Sequence, residues 1–241
     1  GNAGPAATTL NYVVDTTAPS VSSFTLSDTA LITGDNATVT LVFSEAVASF
    51  SSSADITVAN GTLATMTSTD NITWTGTFTP TANTEDDNNT LSLATSYTDT
   101  AGNTGPAATT LNYVIETTAP TVSSVSTTAD NQSSVSITDN ITVTFSEAME
   151  PTFVTADEST SCGATTQVSS DNFSSCVKMS SDPVSSNSNR TFTLDPYDNL
   201  TRLTTYKTRV TTGVKDTAGN AMSSQYETSS GFTTDNISTA K

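Results

Sequence analysis

The 241-residue chain has no histidine. That removes Ser-His-Asp and Cys-His nucleophile systems, and histidine-ligated zinc with them. Basic residues are scarce too: seven Lys and Arg stand against 24 Asp and Glu, for a net charge of −17. With no basic patch, nucleic acid is excluded as a partner, and an anionic membrane surface would repel the chain. No apolar run reaches the roughly 20 residues of a membrane-spanning helix, and no stretch reads as a signal peptide. Aromatic residues make up 7% and apolar residues 34%. That is low for a compact enzyme, but enough for two thin sandwiches whose strands each bury one face. Helix formers at 3.6-residue spacing are missing, so no amphipathic helix is expected.

Thr, Ser and Asn fill the remainder. Thr suits exposed strand positions and Asn suits turns. The organising feature is a repeat. Residues 102–120 read GNTGPAATTLNYVIETTAP, and residues 1–19 read GNAGPAATTLNYVVDTTAP. They differ only at Ala3/Thr104, Val14/Ile115 and Asp15/Glu116. A repeat at a spacing of about a hundred residues marks tandem modules. Each copy is the end of one module, a joint, and the start of the next. Residues 109–115 alternate and are rich in β-branched and aromatic side chains, which predicts a strand. The joint that follows ends in Pro120, which fixes φ and keeps Ala119 extended. Such a joint is short and stiff, unlike a Gly/Ser linker.

The domain reading is therefore a final strand of a preceding module over 1–14, a first module over 15–115, a second over 116–235, and a tail over 236–241. Residue 1 falls inside the repeat, so the chain reads as a fragment. Its orphan strand is either a consequence of the cut or a strand donated to another sheet edge. In module one, strands are predicted over 20–26, 37–43 and 72–78. Val39, Leu41 and Phe43 share one face of the second, and Ile72, Trp74 and Phe78 point inward from the third. Residues 55–58 and 62–66 flank Asn60-Gly61, which predicts a hairpin with a type I′ turn. Residues 84–89 are expected to be an acidic loop, and 91–97 a sixth strand before the closing one. In module two, strands are expected over 121–126, 141–145, 191–194, 205–210 and 231–234. Seven or so short, evenly spaced strands per module mean an all-β fold of two tandem β-sandwiches.

Module one carries DTTAP, FSEA, DITVANGTL and DTAGN. In these it resembles the bacterial Ig-like domains of large secreted and surface proteins. Module two carries VTFSEAM, LTTYKTRVTTGVKDTAGNAM and SGFTT. In these it is similar to the Ig-like family named after bacterial S-layer proteins. The resemblance implies seven-stranded Ig-like sandwiches in an extracellular or cell-surface stalk or array. The cysteine-bearing stretch 155–189 departs from the commonest form of the second family.

In an Ig-type sandwich the B–C and F–G loops lie at one end, where the chain enters. That places Asp15, Glu45, Asp99 and Asn103 together in module one, and Glu116, Glu147, Asp216 and Asn220 in module two. Carboxylates converging from distant positions would repel one another without a cation. Hard oxygen ligands in this number suit a structural Ca²⁺, and some giant adhesins of this resemblance hold Ca²⁺ at such joints. The plainer reading is that Asp99 and Asp216 only form Asx turns before glycine. Glu45 and Glu147 would then only cap loops.

Cys162 and Cys176 lie fourteen positions apart. In an extracytoplasmic setting they predict a disulfide worth about 3 kcal/mol in the chain-entropy model. Paired carboxylates could serve a glycosidase, but these acids gather at joints rather than in a cleft, so no enzyme is expected. The functional expectation is a spacer in a surface adhesin, its joints rigidified by Ca²⁺ and its partners the neighbouring modules. The alternative is a self-assembling S-layer or filament subunit that uses strand 1–14 to complete an identical subunit's sheet.

Overall fold

The computed structural model describes residues 4, 6–126 and 128–237, and the chain divides into two units, Gly1–Glu116 and Thr117–Lys241. The tail expected over 236–241 lies mostly outside the described residues, as do residues 1–3 and 5 of the orphan strand.

Alternation decides what goes inside the first unit. Its strands are β1 (Val21–Leu26), β2 (Ala30–Leu31), β3 (Ala37–Phe43), β4 (Ile56–Thr57), β5 (Gly61–Leu63), β6 (Thr73–Pro80), β7 (Glu85–Asn89), β8 (Ser92–Leu93), β9 (Ala108–Thr109) and β10 (Tyr113–Glu116), with one short helix, α1 (Ser52–Asp55). They form sheets ordered β1-β3-β6-β5, β2-β10-β7 and β4-β8-β9. In β3 the pattern ATVTLVF buries Ala37, Val39, Leu41 and Phe43 and leaves the intervening side chains outward, as period-2 geometry requires. Phe78 stands beside them on the neighbouring strand β6, and Leu91, Leu93, Tyr97, Tyr113 and Ile115 complete the core, all buried. Phe43 lies 4.9 Å from Tyr97 and Phe78 lies 5.3 Å from Tyr113, centroid to centroid, within the range where tilted aromatic pairs attract. Trp74 is half-buried and packs against Phe50 at 4.9 Å.

Several local expectations fail. Asn60-Gly61 is not a hairpin turn. Asn60 takes a positive φ of 50° and Gly61 does not, so the chain crosses from β4, which pairs with β8, to β5, which pairs with β6. Gly61 is needed for another reason: a Cβ there would stand 2.3 Å from the Phe78 ring. The acidic stretch 85–89 is strand β7, because it lies antiparallel to β10 and buries Asn89, whose side chain donates to the Tyr113 carbonyl at 3.2 Å. The closing strand 109–115 is broken at 110–112. Its first part pairs with β8 and its second with β2 and β7, so it changes sheets midway. Of 91–97, only Ser92–Leu93 is a strand. The described residues of 1–14 form no strand, and their side chains are exposed.

The second unit holds β11 (Val122–Val125), β12 (Ile141–Phe145), β13 (Thr166–Ser169), β14 (Val184–Ser186), β15 (Thr191–Leu194), β16 (Thr205–Val210), β17 (Tyr226–Glu227) and β18 (Phe232–Thr233). One sheet runs β11-β12-β15-β14. The other runs β13-β16-β17, with β18 also on β16. Ile141, Val143, Phe145, Phe192, Leu194, Val210 and Phe232 fill the space between them. The divergent stretch supplies β13 and β14, one strand to each sheet. Cys162 and Cys176 are disulfide-bonded within it.

Candidate metal centres

The pentapeptide DTAGN builds the same loop twice. At 99–103, Asp99 Oδ1 accepts from the N–H groups of Ala101 at 2.8 Å and Asn103 at 2.9 Å. Asp99 Oδ2 accepts from Asn103 Nδ2 at 2.8 Å. Gly102 supplies the positive φ, 97°, that the tight loop requires, a region open to glycine without a Cβ penalty. At 216–220, Asp216 Oδ1 accepts from the N–H groups of Gly219 at 2.6 Å and Asn220 at 2.8 Å. Its Oδ2 accepts from Asn220 Nδ2 at 3.0 Å, and Gly219 has φ 113°. Both aspartates are buried. Asp99 thus makes an Asx turn with Ala101, Asp216 binds further along its own loop, and these bonds fix both carboxylates in place.

Other elements bring further acids to each loop. Glu45 follows β3, whose end is tied to the incoming chain by Ser44 N to Ser20 O and Ser20 N to Ser44 Oγ, both 2.9 Å. Asp15 lies in that incoming chain, its Oδ1 accepting from Thr17 N at 3.0 Å. The result is that carboxylate oxygens of Asp15, Glu45 and Asp99 lie within 4.8 Å of one another. Glu116, Glu147 and Asp216 meet the same limit. Here too, Ser146 N donates to Thr121 O at 2.9 Å and Thr121 N to Ser146 Oγ at 3.0 Å. The repeated joint, the shared FSEA stretch and the shared pentapeptide therefore build an equivalent three-carboxylate set twice.

Asn103 and Asn220 were expected to offer oxygen to the same sites. Asn103 instead presents its amide nitrogen: Asp99 Oδ2 and the carbonyls of Asp15 and Thr17, each 3.2 Å away, are all acceptors. Only an NH₂ group fits that environment. Asn103 is a strap across the loop and the incoming chain, and Asn220 makes the equivalent bond to Asp216. The Asn103 amide is the main reason the Asp99 carboxyl is held below the ordinary range. Partial desolvation opposes it, and the backbone N–H groups of Asn103, Gly102 and Ala101 reinforce it.

Like charges within 4.8 Å of one another repel by about 1 kcal/mol per pair in bulk water and by several-fold more near a protein surface. Among the described residues no Lys or Arg forms a salt bridge with Asp15, Glu45 or Asp99. Lys207 and Arg209 both go to Glu227, at 3.6 and 2.9 Å. A divalent cation with hard oxygen preference would relieve the repulsion, and the donor set of three carboxylates fits Ca²⁺ chemically.

Two further carboxylates are of consequence. Asp130 accepts from Ser229 N and Oγ, Ser230 N and Gly231 N, across a sequence gap of about a hundred residues. Asp171 accepts from Ser175 Oγ at 2.6 Å, Ser175 N at 2.9 Å and Ser169 Oγ at 2.8 Å. These bonds, that of the Ser175 hydroxyl first, bring its carboxyl down to about 2. Both are structural anchors. The signal for the second was in the sequence, as Ser-x-Asp-x-x-x-Ser, a pattern that satisfies a turn locally.

No characterised protein matches the sequence. Solved structures are similar to parts of the chain at low identity. The N-terminal part of the bacterial S-layer protein SbsC is 22% identical over 51% of this chain and 25% of that one, with a TM-score of 0.35. The adhesin FdeC of Escherichia coli is 12% identical over 87% of this chain and 63% of that one, TM-score 0.41. Three Ig domains of titin are 12% identical over 90% and 65%, TM-score 0.45. The chain spans 14–25% of the S-layer chains it matches. Two different family profiles, each described as a bacterial Ig-like domain, match residues 15–115 and 116–234. The chain is therefore a tandem of two bacterial Ig-like domains.

Proposed function

We propose that the chain is a spacer in a bacterial surface or secreted adhesin-like protein, without enzymatic activity. In this reading Ca²⁺ at the two carboxylate clusters stiffens the chain where it enters each domain. One observation carries the reading: three acids from three separate elements meet within 4.8 Å, and the constellation occurs twice. The first cluster includes Asp15 from the incoming segment, which Asn103 already straps to the loop 99–103. A bridging cation would add a second tie at the same place, with Asp15, Glu45 and Asp99 as ligands. The second site would use Glu116, Glu147 and Asp216. The disulfide supports an extracytoplasmic location, since such bonds persist in oxidising compartments. No helix among the described residues is long and apolar enough to cross a membrane. The partners in this reading are neighbouring modules of the same chain.

Calorimetry on chelator-stripped protein, with small-angle scattering beside it, tests the proposal. Binding of about two Ca²⁺ per chain with a longer or stiffer particle is expected. Absence of binding at millimolar Ca²⁺ would leave the carboxylates as turn formers and remove the cation from the function.

A further inference from the structure

The last strand of the second domain is held by the segment that follows its first strand, and the two run in the same direction. Asn131 N donates to Gly231 O at 2.8 Å, Thr233 N to Gln132 O at 2.8 Å, Val135 N to Thr233 O at 3.1 Å and Asp235 N to Val135 O at 2.8 Å. Val135 and Thr234 form a parallel bridge. At the head of this pair stands Asp130. Its Oδ1 accepts from Ser230 N and Gly231 N, and its Oδ2 from Ser229 N and Ser229 Oγ. Three consecutive N–H groups aimed at one carboxylate make an anion-binding concavity, filled here from the other end of the domain's sequence. Hydrogen bonds to an ionised acceptor are roughly twice as strong as neutral ones. The first domain has the parallel pair too, Val114 with Ala30 and Ile115 with Leu31. Its nearby acid, Asp28, accepts within its own segment, from Ala30 N at 2.9 Å.

We propose that Asp130 is the latch of a load-bearing clamp in the second domain. The inference rests on the spacer reading, in which tension enters this domain near residue 117 and leaves past residue 235. Segment 130–135 is then pulled from its N-terminal end and segment 229–235 from its C-terminal end. In a parallel pair those pulls oppose each other along the strand axis, so the cross-strand bonds are sheared together instead of opening one at a time. The exit strand does not peel away sideways, because Phe232 and Thr233 also pair with Tyr206 and Thr205 of β16 and Phe232 is fully buried. Asp130 joins the same two segments, adding four bonds to the four made by the backbone. Asp171 lies off this path. With Cys162 and Cys176 bonded, tension crosses the disulfide and bypasses the loop in which Asp171 binds Ser169 and Ser175.

The test holds the full chain by its two ends at constant force and reads the lifetime of each domain. Reduction identifies the second domain, because its unfolding step lengthens by about 5 nm when the 14-residue span of the disulfide is released. Asp130→Ala, with the disulfide intact, is expected to shorten that domain's lifetime about ten-fold, the equivalent of about one charge-assisted bond lost from the barrier. The first domain's lifetime should not change. Ser229→Ala removes one of the four bonds and should shorten the lifetime less, in the same direction. It also decides the matter should Asp130→Ala fail to fold. Asp171→Ala lowers thermal stability off the load path and should leave the lifetime within about two-fold of wild type. Unchanged lifetimes in the Asp130 and Ser229 variants would overturn the proposal. So would equal shortening by Asp130→Ala and Asp171→Ala, which would make Asp130 a general anchor and not a clamp. A chain that binds no Ca²⁺ would undo the calcium-stiffened spacer without altering these lifetimes, so the two readings fail separately.

Discussion

Asn103 donates its side-chain amide to Asp99 Oδ2 at 2.8 Å, and the same NH₂ group reaches the carbonyls of Asp15 and Thr17 at 3.2 Å. One side chain therefore holds a carboxylate, a loop and the incoming segment together. Asn103→Leu keeps the approximate volume and removes all three bonds. The Asp99 carboxyl should then titrate closer to the ordinary carboxylate range, since its main lowering partner is gone. Amide exchange over 16–20 should quicken, while exchange in the second domain stays unchanged. Carboxyl NMR titration and hydrogen exchange read the two effects separately.

Asp171 sets a pH dependence for the second domain. Its carboxyl is brought down to about 2 by the Ser175 hydroxyl and N–H and the Ser169 hydroxyl, against about 3.9 in an unfolded chain. A group with a depressed folded pKa stabilises the fold above its unfolded value, and that contribution disappears as pH falls through the folded value. Asp171→Ala should therefore lower the Tm of the second domain at pH 6. The gap from wild type should narrow steadily between pH 4 and pH 2. A gap that is constant across this window would mean that the loop's hydrogen bonds do not depend on the charge.

The Cys162–Cys176 bond closes a short loop that leads into β13. Reduction, or Cys162→Ser with Cys176→Ser, should cost about 3 kcal/mol by the chain-entropy argument. For a domain of this size that is a fall in Tm on the order of 10 °C. Calorimetry should show one transition move and the other stay, because the first domain contains no cysteine.

What could be read from the sequence follows from how local the cause is. The inward face of β3 was legible because period-2 alternation needs no partner to reveal it, and the two cysteines had only each other to pair with. The Asn60-Gly61 turn misled because both its flanks are apolar and alternating. Whether they pair with each other or with β8 and β6 depends on partners 15 to 37 residues away. The acidic run 85–89 looked like a loop because its strand character comes from β10 and from the burial of Asn89, not from its own side chains. Asp130 was invisible for the same reason, its partners lying at 229–231. The amide orientation of Asn103 required three acceptors from two segments to be placed before it could be decided.

Glu45→Gln separates repulsion from metal binding. Glu45 shares a 4.8 Å cluster with Asp15 and Asp99, and no lysine or arginine among the described residues forms a salt bridge with any of the three. Removing its charge deletes two repulsive pairs, each about 1 kcal/mol or more, while an amide of the same shape leaves the packing intact. In chelator-treated protein the variant should therefore be more stable than wild type, by about 1–2 kcal/mol. In the proposed Ca²⁺-bound state a charged ligand is lost, so the order should reverse. A ligand present at 100 times its Kd adds about 2.7 kcal/mol to wild type, more than the relief gained by the substitution. Thermal melts of both proteins in chelator and in millimolar Ca²⁺ make the comparison. A crossing of the two orders identifies the cluster as a metal site. Glu45→Gln that is stabilising under both conditions identifies it as an uncompensated acidic cluster, and the stiffness of the joint must then come from Asn103 and Pro19.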